Sequence, residues 1–255
     1  PFRLTGAQAR TLAEIRADLA SGERMSRLVQ GDVGSGKTVV AMLAVAELAA
    51  AGYQTALMAP TEILARQHLE SMAEPLEKAG IQTVLLTGRD KGAQRQDKLA
   101  AVADGTAGLV VGTHALFQDE VRFHRLALAV IDEQHRFGVA ERRRLMAKGD
   151  AVHLIALSAT PIPRTLELTL FGDLDVSRID EKPPGRQPVL TTATPLARVD
   201  SVIRRLAEAT EHGAQAFWIC PLVAESEILD VQAAEVRAAD LTQRLSARVA
   251  LIHGK

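Results

Sequence analysis

The sequence lacks the features that mark secreted mini-proteins, membrane proteins and base-stacking proteins. A single cysteine, Cys220, in 255 residues excludes a disulfide framework and predicts a reducing compartment, the cytoplasm. No apolar run approaches the roughly 18 residues of a membrane-spanning helix, so we expect no membrane partner. Aromatic residues make up only 3% of the chain, which argues against a platform on which nucleic-acid bases stack.

An excess of charge of one sign is also missing, because 30 lysines and arginines are matched by 31 aspartates and glutamates. The formal net charge of −1 provides no global basic field that would attract nucleic acid. A nucleic-acid partner would therefore need a local patch, and we expect such a patch to bind phosphates rather than bases. The hydrophobic content of 47% is that of an ordinary globular chain.

One glycine-rich stretch, QGDVGSGKT at residues 30–38, carries the first strong functional signal. It fits the G-x-x-x-x-G-K-T pattern of a phosphate-binding loop and lies between a short apolar run and a helix-forming run, as that loop requires. Glycines let backbone N–H groups converge on phosphates at a helix N-terminus. The alternative is a glycine/serine turn that happens to precede Lys-Thr. The first interpretation predicts a nucleoside triphosphate bound by Gly31, Asp32, Val33, Gly34, Ser35, Gly36, Lys37 and Thr38, with Thr38 also ligating Mg²⁺.

Apolar runs alternate with helix-periodic segments over the first part of the chain, which predicts a parallel sheet covered by helices on both faces. Ligands of such sheets bind beyond the carboxyl ends of the strands, so the polar residues that follow each run predict a site there. The predicted strands are RLVQ, TALMAP, TVLLTG, GLVVGTH, LALAVIDE and HLIALSAT, and the predicted helices include Glu62–Ala79, Gly92–Ala103 and Ala140–Ala147.

The run LALAVIDE ends in an acidic pair, Asp132 and Glu133, which is the second strong signal. Most acidic pairs are simply solvated, but a pair that follows a phosphate-binding loop in the same domain indicates function. We expect Asp132 to ligate Mg²⁺ and Glu133 to orient or deprotonate an attacking water.

Together, the motifs GDVGSGKT, APTEILARQH, GTHAL, IDEQHRFG and SATPIPRT resemble the ordered motifs of superfamily 2 helicases. DEQHRFGV and LSATPIPRT are similar to the RecG-like branch, whose members remodel branched DNA and stalled replication forks. Transcription-repair coupling translocases share RFGV and TPIPRT but usually have glutamate where this chain has Gln134. The resemblance runs from Pro1 to Lys255. It implies an α/β, RecA-like P-loop fold with three α/β/α layers, ATP and Mg²⁺ as cofactors, and forked or Holliday-junction DNA as the partner.

The resemblance also implies roles for residues outside the loop. Gln8 is expected to read the adenine edge, although Thr5-x-x-Gln8 is also a capping box at a helix start. His135 is expected to couple the nucleotide site to the cleft between two lobes and is grouped with the catalytic residues; a structural histidine is the alternative. DNA contact or coupling is implied for Pro60, Thr61, Arg66, Gly112, Thr113, His114, Ser158 and Thr160, with a solvated helix face (Arg66) and strand-end hydrogen bonding (Ser158, Thr160) as alternatives.

A proline- and glycine-rich stretch, EKPPGRQP, predicts a linker at 181–188 between an ATP-binding RecA-like domain at 1–180 and part of a second RecA-like lobe at 189–255. The second region is expected to contain strands at VLTTATP, AFWICPLV and RVALIHG, a helix near Ala197–Thr210 and one further helix. It is shorter than a usual domain, and the chain has no initial methionine, so we expect that both ends are cut. The arginine-finger motif of the family does not occur before Lys255, which predicts weak or absent catalysis by the chain alone.

The leading hypothesis is therefore an ATP-dependent DNA helicase or translocase motor of recombination and repair, in which closure of the lobes around ATP moves the protein along DNA. The alternatives are a transcription-repair coupling translocase and a nucleotide-binding module without helicase activity. The sequence leaves the oligomeric state open, with a monomer favoured.

Overall fold

The structure, a computed structural model, describes residues 3–133, 137–160, 174–181, 189–220 and 234–252. The chain divides into two compact units, Pro1–Arg186 and Gln187–Lys255. Residues 182–188 of the predicted linker lie outside the described residues, so the three-part domain division stays a prediction.

The first unit is built on a sheet whose seven described strands are all parallel. The strand order is β3-β4-β2-β5-β6-β1-β7, so strands that are neighbours in the sheet are often distant in the sequence. The ladder places Gln30 opposite Ser158 and Asp132 opposite Leu157, which brings the carboxyl ends of three adjacent strands to one edge. The strands are β1 (Ser26–Gly31), β2 (Gln54–Met58), β3 (Gln82–Leu86), β4 (Ala107–Gly112), β5 (Leu126–Asp132), β6 (His153–Ser158) and β7 (Asp175–Ile179).

Helices follow the strands as predicted, and the predicted bounds of three of them are confirmed to within one residue. In the first unit the helices are α1 (Gly6–Ala20), α2 (Lys37–Ala50), α3 (Glu62–Lys78), α4 (Gly92–Ala103) and α5 (Val139–Met146). A short 3₁₀ helix, His114–Phe117, follows β4. Strand β7 is missed by the sequence analysis, because an edge strand with buried positions only at Ser177 and Ile179 has no continuous apolar run.

Hydrophobic residues pack on both faces of the sheet, which creates the three layers. Along β2, Leu57 joins the core beneath α1, α2 and α3, whereas Ala56 and Met58 join the core on the opposite face beneath α4 and α5. All three side chains are fully buried. Because successive strand residues point to opposite faces, one apolar strand supplies both cores. The predicted α/β/α architecture is confirmed.

Helix α1 is held against the sheet by a buried arginine. Arg27, on β1, is 8% exposed. Its Nε donates to Asp18 Oδ2 on α1 at 2.6 Å, and its Nη1 donates to Ser177 Oγ on β7 at 2.9 Å. Glu14 Oε2, also on α1, lies 3.6 Å from Arg27 Nη1. A guanidinium has enough donors to serve several partners at once, so one side chain connects three elements and holds the C-terminal half of α1 near the start of β1.

The second unit contains helices α6 (Val199–Glu211) and α7 (Ala234–Arg244) among its described residues. The predicted helix near 197–210 is confirmed. The strand predictions are wrong for the described parts of VLTTATP, AFWICPLV and RVALIHG, which are irregular. A strand forms only where its backbone groups pair with a neighbouring strand, and the described part of this unit contains no strand. None of the helices that the structure describes is both long and apolar enough to cross a bilayer.

Candidate active site

The phosphate-binding loop connects the end of β1 to the start of α2. Gly36 is the N-cap of α2 and has a left-handed backbone with φ of 90°. A Cβ at this position would lie 2.2 Å from Gln8 Nε2, which is closer than real atoms approach. The left-handed backbone favours glycine at position 36, and a larger residue would also displace the Gln8 amide from its position beside the loop.

Lys37, the first residue of α2, folds back over the loop. Its Nζ donates to the carbonyl oxygens of Gly31 at 2.6 Å and Asp32 at 3.0 Å. Burial lowers the pKa of Lys37, and the negative charges of Asp132, Glu133 and Asp32 oppose this shift. The loop lysine therefore lies within electrostatic range of the acidic pair.

The acidic pair lies at the end of β5, two strands away from β1 in the sheet. Asp132 is the last residue of the strand, and Glu133 follows it with φ of 49°. A left-handed backbone at a residue other than glycine costs on the order of 1–3 kcal/mol and is concentrated at functional sites. This strained turn follows the strand directly and separates Glu133 from the ladder, so the two carboxylates occupy different backbone environments.

A histidine that the sequence analysis did not select completes this group. His68 Nε2, on α3, donates to the Asp132 carboxylate at Oδ2 over 2.7 Å, and both side chains are largely buried. His68 lies three positions after Ala65 and four before Met72, which are both fully buried on α3. A polar residue within the apolar stripe of an amphipathic helix was the available signal.

The residues present fit a phosphate group with Mg²⁺. The Thr38 hydroxyl and the Asp132 carboxylate supply the oxygen ligands that Mg²⁺ prefers. Ser35 is 2% exposed, and its Oγ has no hydrogen-bond partner within the described part of the chain, so the loop holds a free hydroxyl. No group of three or more His, Cys, Asp or Glu side chains in the described ranges could hold a metal by itself. Mg²⁺ commonly binds through one or two carboxylates plus substrate phosphates. A Mg²⁺ site made of Thr38, Asp132 and nucleotide phosphates therefore does not need a cluster of three such side chains.

Gln8 forms the capping box that was its alternative interpretation. The Thr5 N–H donates to Gln8 Oε1 at 3.0 Å, and the Gln8 N–H donates to Thr5 Oγ1 at 3.2 Å. The Gln8 amide also donates to the Ser35 carbonyl at 2.8 Å, and the side chain is nearly fully buried. In this structure the Gln8 amide connects α1 to the phosphate-binding loop. Contact between Gln8 and adenine stays a prediction.

The first group of implied DNA residues surrounds the start of α3, directly after β2. Thr61 is the N-cap of α3, and its side chain accepts from the Leu64 N–H at 3.3 Å. Arg66 pairs with Glu62 at 2.8 Å, and about half of its side chain is exposed. Arg89, from the loop after β3, reaches the same glutamate at 3.2 Å. Pro60 precedes this cluster and is half-buried. Two arginines therefore lie beside a helix start, both accessible to a phosphate chain.

The second group follows β4. Gly112 is buried, and a Cβ there would lie 2.4 Å from the Leu86 carbonyl oxygen, so the close packing of β3 against β4 favours glycine at this position. Thr113 precedes the 3₁₀ helix, which begins at His114. His114 Nδ1 lies 3.0 Å from Glu141 Oε1 on α5, and its ring contacts Phe137 edge-on at 5.6 Å. His114 therefore contacts the segment that follows the acidic motif.

The third group connects β6 to β1. The Ser158 hydroxyl donates to the Thr160 carbonyl oxygen at 3.1 Å and accepts from the Thr160 N–H at 3.3 Å. Gln30, the residue before the phosphate-binding loop, donates from Nε2 to the Thr160 carbonyl at 3.1 Å. Strand-end hydrogen bonding is thus present, and it ties this motif to the loop strand. His135 lies outside the described residues, so its predicted role is not assessed.

Comparison with known proteins places this site in a family. The DEAD/DEAH box helicase model matches residues 5–169. Over its full length the chain is 50% identical to ATP-dependent DNA helicase RecG of Escherichia coli O157:H7 and 48% identical to that of Bacillus subtilis (strain 168). It spans 38% of the length of each of these relatives.

Solved structures of helicases are similar to this chain. RecG bound to a three-way DNA junction matches with a TM-score of 0.79 and 42% identity, over 96% of this chain and 32% of that one. The DUF1998 helicase MrfA matches with a TM-score of 0.66 and 20% identity, over 94% of this chain and 38% of that one, which supports the fold alone. The predicted RecA-like fold of the helicases is confirmed.

Proposed function

This chain belongs to the DEAD/DEAH box helicase family, and we propose that it is the motor core of a RecG-type DNA helicase that hydrolyses ATP to act on branched DNA. The observation that carries the proposal is the proximity of Lys37 to the pair Asp132 and Glu133 at one edge of the sheet. RecG in a solved structure is bound to a three-way DNA junction, so similarity to RecG along the chain supports branched DNA as the proposed substrate.

ATP and Mg²⁺ are the proposed cofactors. The backbone N–H groups of loop residues 31–36 and the Lys37 ammonium would bind the phosphates, and Thr38 and Asp132 would ligate the metal. When bound between these residues, Mg²⁺ would supply positive charge to the phosphates. Because Lys37 is partly withdrawn from water, its charge is screened less than that of a surface lysine and acts strongly on a nearby phosphate.

Glu133 is the proposed general base, which orients or deprotonates the attacking water. Its backbone leaves the strand in a left-handed conformation immediately after Asp132. The two carboxylates can therefore serve different partners, one the metal and the other the water, although they are adjacent in sequence. Gln8, which is hydrogen-bonded to Ser35, would additionally face the adenine end of the nucleotide.

DNA binding is proposed at the loops that follow β2 and β4. The helix start at Thr61, the exposed guanidinium of Arg66 and the backbone of Gly112 and Thr113 supply donors that suit phosphates. Contacts of this kind hold a strand without reading its bases, so little sequence preference is expected.

Coupling between hydrolysis and DNA movement is proposed for two connections. Ser158 and Thr160 are linked to the phosphate-binding strand through Gln30. His114 is linked to α5, which follows the acidic motif, through Glu141. His135 is proposed to act with them. We also propose a cytoplasmic protein, in accordance with the single cysteine, and a monomer as the oligomeric state.

The decisive experiment measures ATP hydrolysis by the whole protein that contains this chain, without DNA, with linear duplex and with a three-way junction. The junction is expected to stimulate hydrolysis more than the duplex of equal length. A rate that does not respond to any DNA would contradict the proposal and favour a nucleotide-binding module. A response that requires RNA polymerase would favour the transcription-coupled translocase instead.

A further inference from the structure

The hydrogen bond between His68 and Asp132 joins a helix to the carboxylate that the proposed function assigns to the metal. Its two residues are 64 positions apart, and its atoms are 2.7 Å apart. The side chains are only 12% and 14% exposed, so water competes weakly for this bond. The bond is therefore a fixed feature of the site rather than a surface contact.

Helix α3 gives His68 little freedom. Ala65 and Met72, which flank it on the same face of the helix, are fully buried against the sheet. Because residues three and four apart share a helix face, the imidazole is directed into the space at the end of β5. A donor held in this way restrains the carboxylate that it contacts.

Asp132 also lies near a competing partner. Lys37 is close enough for the Asp132 charge to oppose the lowering of its pKa, yet the Lys37 ammonium bonds to the carbonyls of Gly31 and Asp32. Asp132 bonds to His68 instead. If the carboxylate turned toward the lysine, the two charges would neutralise each other and neither would be available to Mg²⁺ and phosphate.

We propose that His68 is a positioning residue, which holds one oxygen of Asp132 and thereby keeps the other available to the magnesium ion of bound nucleotide. The inference rests on the proposed function only in that Asp132 is taken as the metal ligand. Hydrogen bonds to a ligating carboxylate typically change metal affinity by about 10–100-fold, which sets the expected size of the effect.

The test compares His68→Leu, which removes the donor, with His68→Gln, whose amide N–H can replace it. Gln67→Leu is the matched control, because Gln67 is the exposed neighbour of His68 on the same helix. Fluorescently labelled ADP is titrated into each protein, first in EDTA and then over a range of Mg²⁺ concentrations, without DNA. These measurements separate the affinity for metal-free nucleotide from the Mg²⁺ requirement.

In His68→Leu the Mg²⁺ concentration for half-maximal binding is expected to rise by about tenfold or more, while metal-free ADP affinity changes by less than about twofold. His68→Gln is expected to restore most of the Mg²⁺ response, and Gln67→Leu to match the parent. An unchanged Mg²⁺ requirement in His68→Leu overturns the inference. Equal loss of metal-free and metal-dependent binding, or failure of His68→Gln to restore the response, also overturns it, since either points to a merely structural histidine.

The result is independent of the test of the proposed function. If DNA fails to stimulate hydrolysis in the parent protein, the helicase assignment fails, but the Mg²⁺ requirement of nucleotide binding is still measurable. If only the His68 variants fail, the helicase assignment is unaffected.

Discussion

The side-chain amide of Gln8 donates a 2.8 Å hydrogen bond to the backbone carbonyl of Ser35, which ties the first helix to the phosphate-binding loop. The same side chain accepts from the Thr5 N–H and closes the helix cap. The buried Gln8 side chain therefore caps α1 and also connects α1 to the phosphate-binding loop, and substitutions can separate these two roles.

Gln8→Ala removes both bonds, and we expect weaker nucleotide binding by about fivefold, since a hydrogen bond contributes about 1 kcal/mol. Thr5→Ala removes only the cap acceptor and should lower the free energy of unfolding by about 1 kcal/mol with nucleotide affinity unchanged. Calorimetric titration and chemical denaturation of both variants make the comparison. If both variants lose nucleotide affinity equally, the Gln8–Ser35 bond has no separate role.

Lys37→Ala and Glu133→Gln should separate binding from hydrolysis in the whole protein. Lys37→Ala deletes the partly buried charge beside the loop, so nucleotide binding or turnover should be abolished. Glu133→Gln keeps the shape but removes the base, so binding should persist while turnover falls by about 10²–10⁴-fold. Nucleotide affinity and steady-state hydrolysis are measured on each variant. Parental turnover by Glu133→Gln would refute its assignment as the base.

Gln54→Leu should be strongly destabilising. The buried Gln54 amide donates to the carbonyls of Val102 and Ala107 at 2.9 and 2.8 Å, and its oxygen accepts from the N–H groups of His124 and Arg125 at 2.7 and 3.0 Å. Leucine removes all four of these hydrogen bonds from a buried position, so we expect a loss on the order of 3 kcal/mol.

The matched control is Gln82→Leu, which replaces an exposed glutamine at the start of β3, the strand on the other side of β4 from β2. Its free energy of unfolding should change by no more than about 0.5 kcal/mol. Urea denaturation of both variants measures the difference. Similar losses in the two would show that the buried amide network contributes little.

Acidification should destabilise the first unit through His153. Burial, followed by the positive charge of Arg24, lowers the pKa of His153 below its ordinary value of 6.5, and Asp18 partly opposes them. The folded state then binds the proton less readily than the unfolded state. The stability contribution is therefore complete above the unfolded pKa and is lost as the pH falls through 6.5 toward the folded pKa.

His153→Gln removes the titrating group and keeps an acceptor for the Met25 N–H, which bonds to His153 Nδ1 at 3.0 Å. The fall in melting temperature between about pH 7.5 and pH 5.5 should be smaller in this variant than in the parent. Thermal unfolding followed by circular dichroism at both pH values provides the measurement. An identical fall in the two proteins would assign the acid sensitivity to other groups.

Much of the first unit is predictable from its sequence, since the relevant signals are local. The glycine spacing around Gly36, the apolar run that ends at Asp132 and the helical periodicity of Glu62–Lys78 all encode structure within a few residues. Strand β7 was missed because an edge strand buries only alternate side chains. In the second unit, apolar runs predicted strands that the described residues do not form, because apolar composition does not supply a pairing neighbour.

What the sequence determined by itself is the chemistry: a lysine after glycines, a hydroxyl, two adjacent carboxylates, and the helices and strands that carry them. What only the tertiary structure decided is which of these groups meet. The strand order β5-β6-β1 brings Lys37 near the acidic pair, and the packing of α3 places His68 against Asp132. Hydrogen bonds within helices and turns join near neighbours in the chain, whereas contacts across 64 positions depend on how all the intervening strands are arranged.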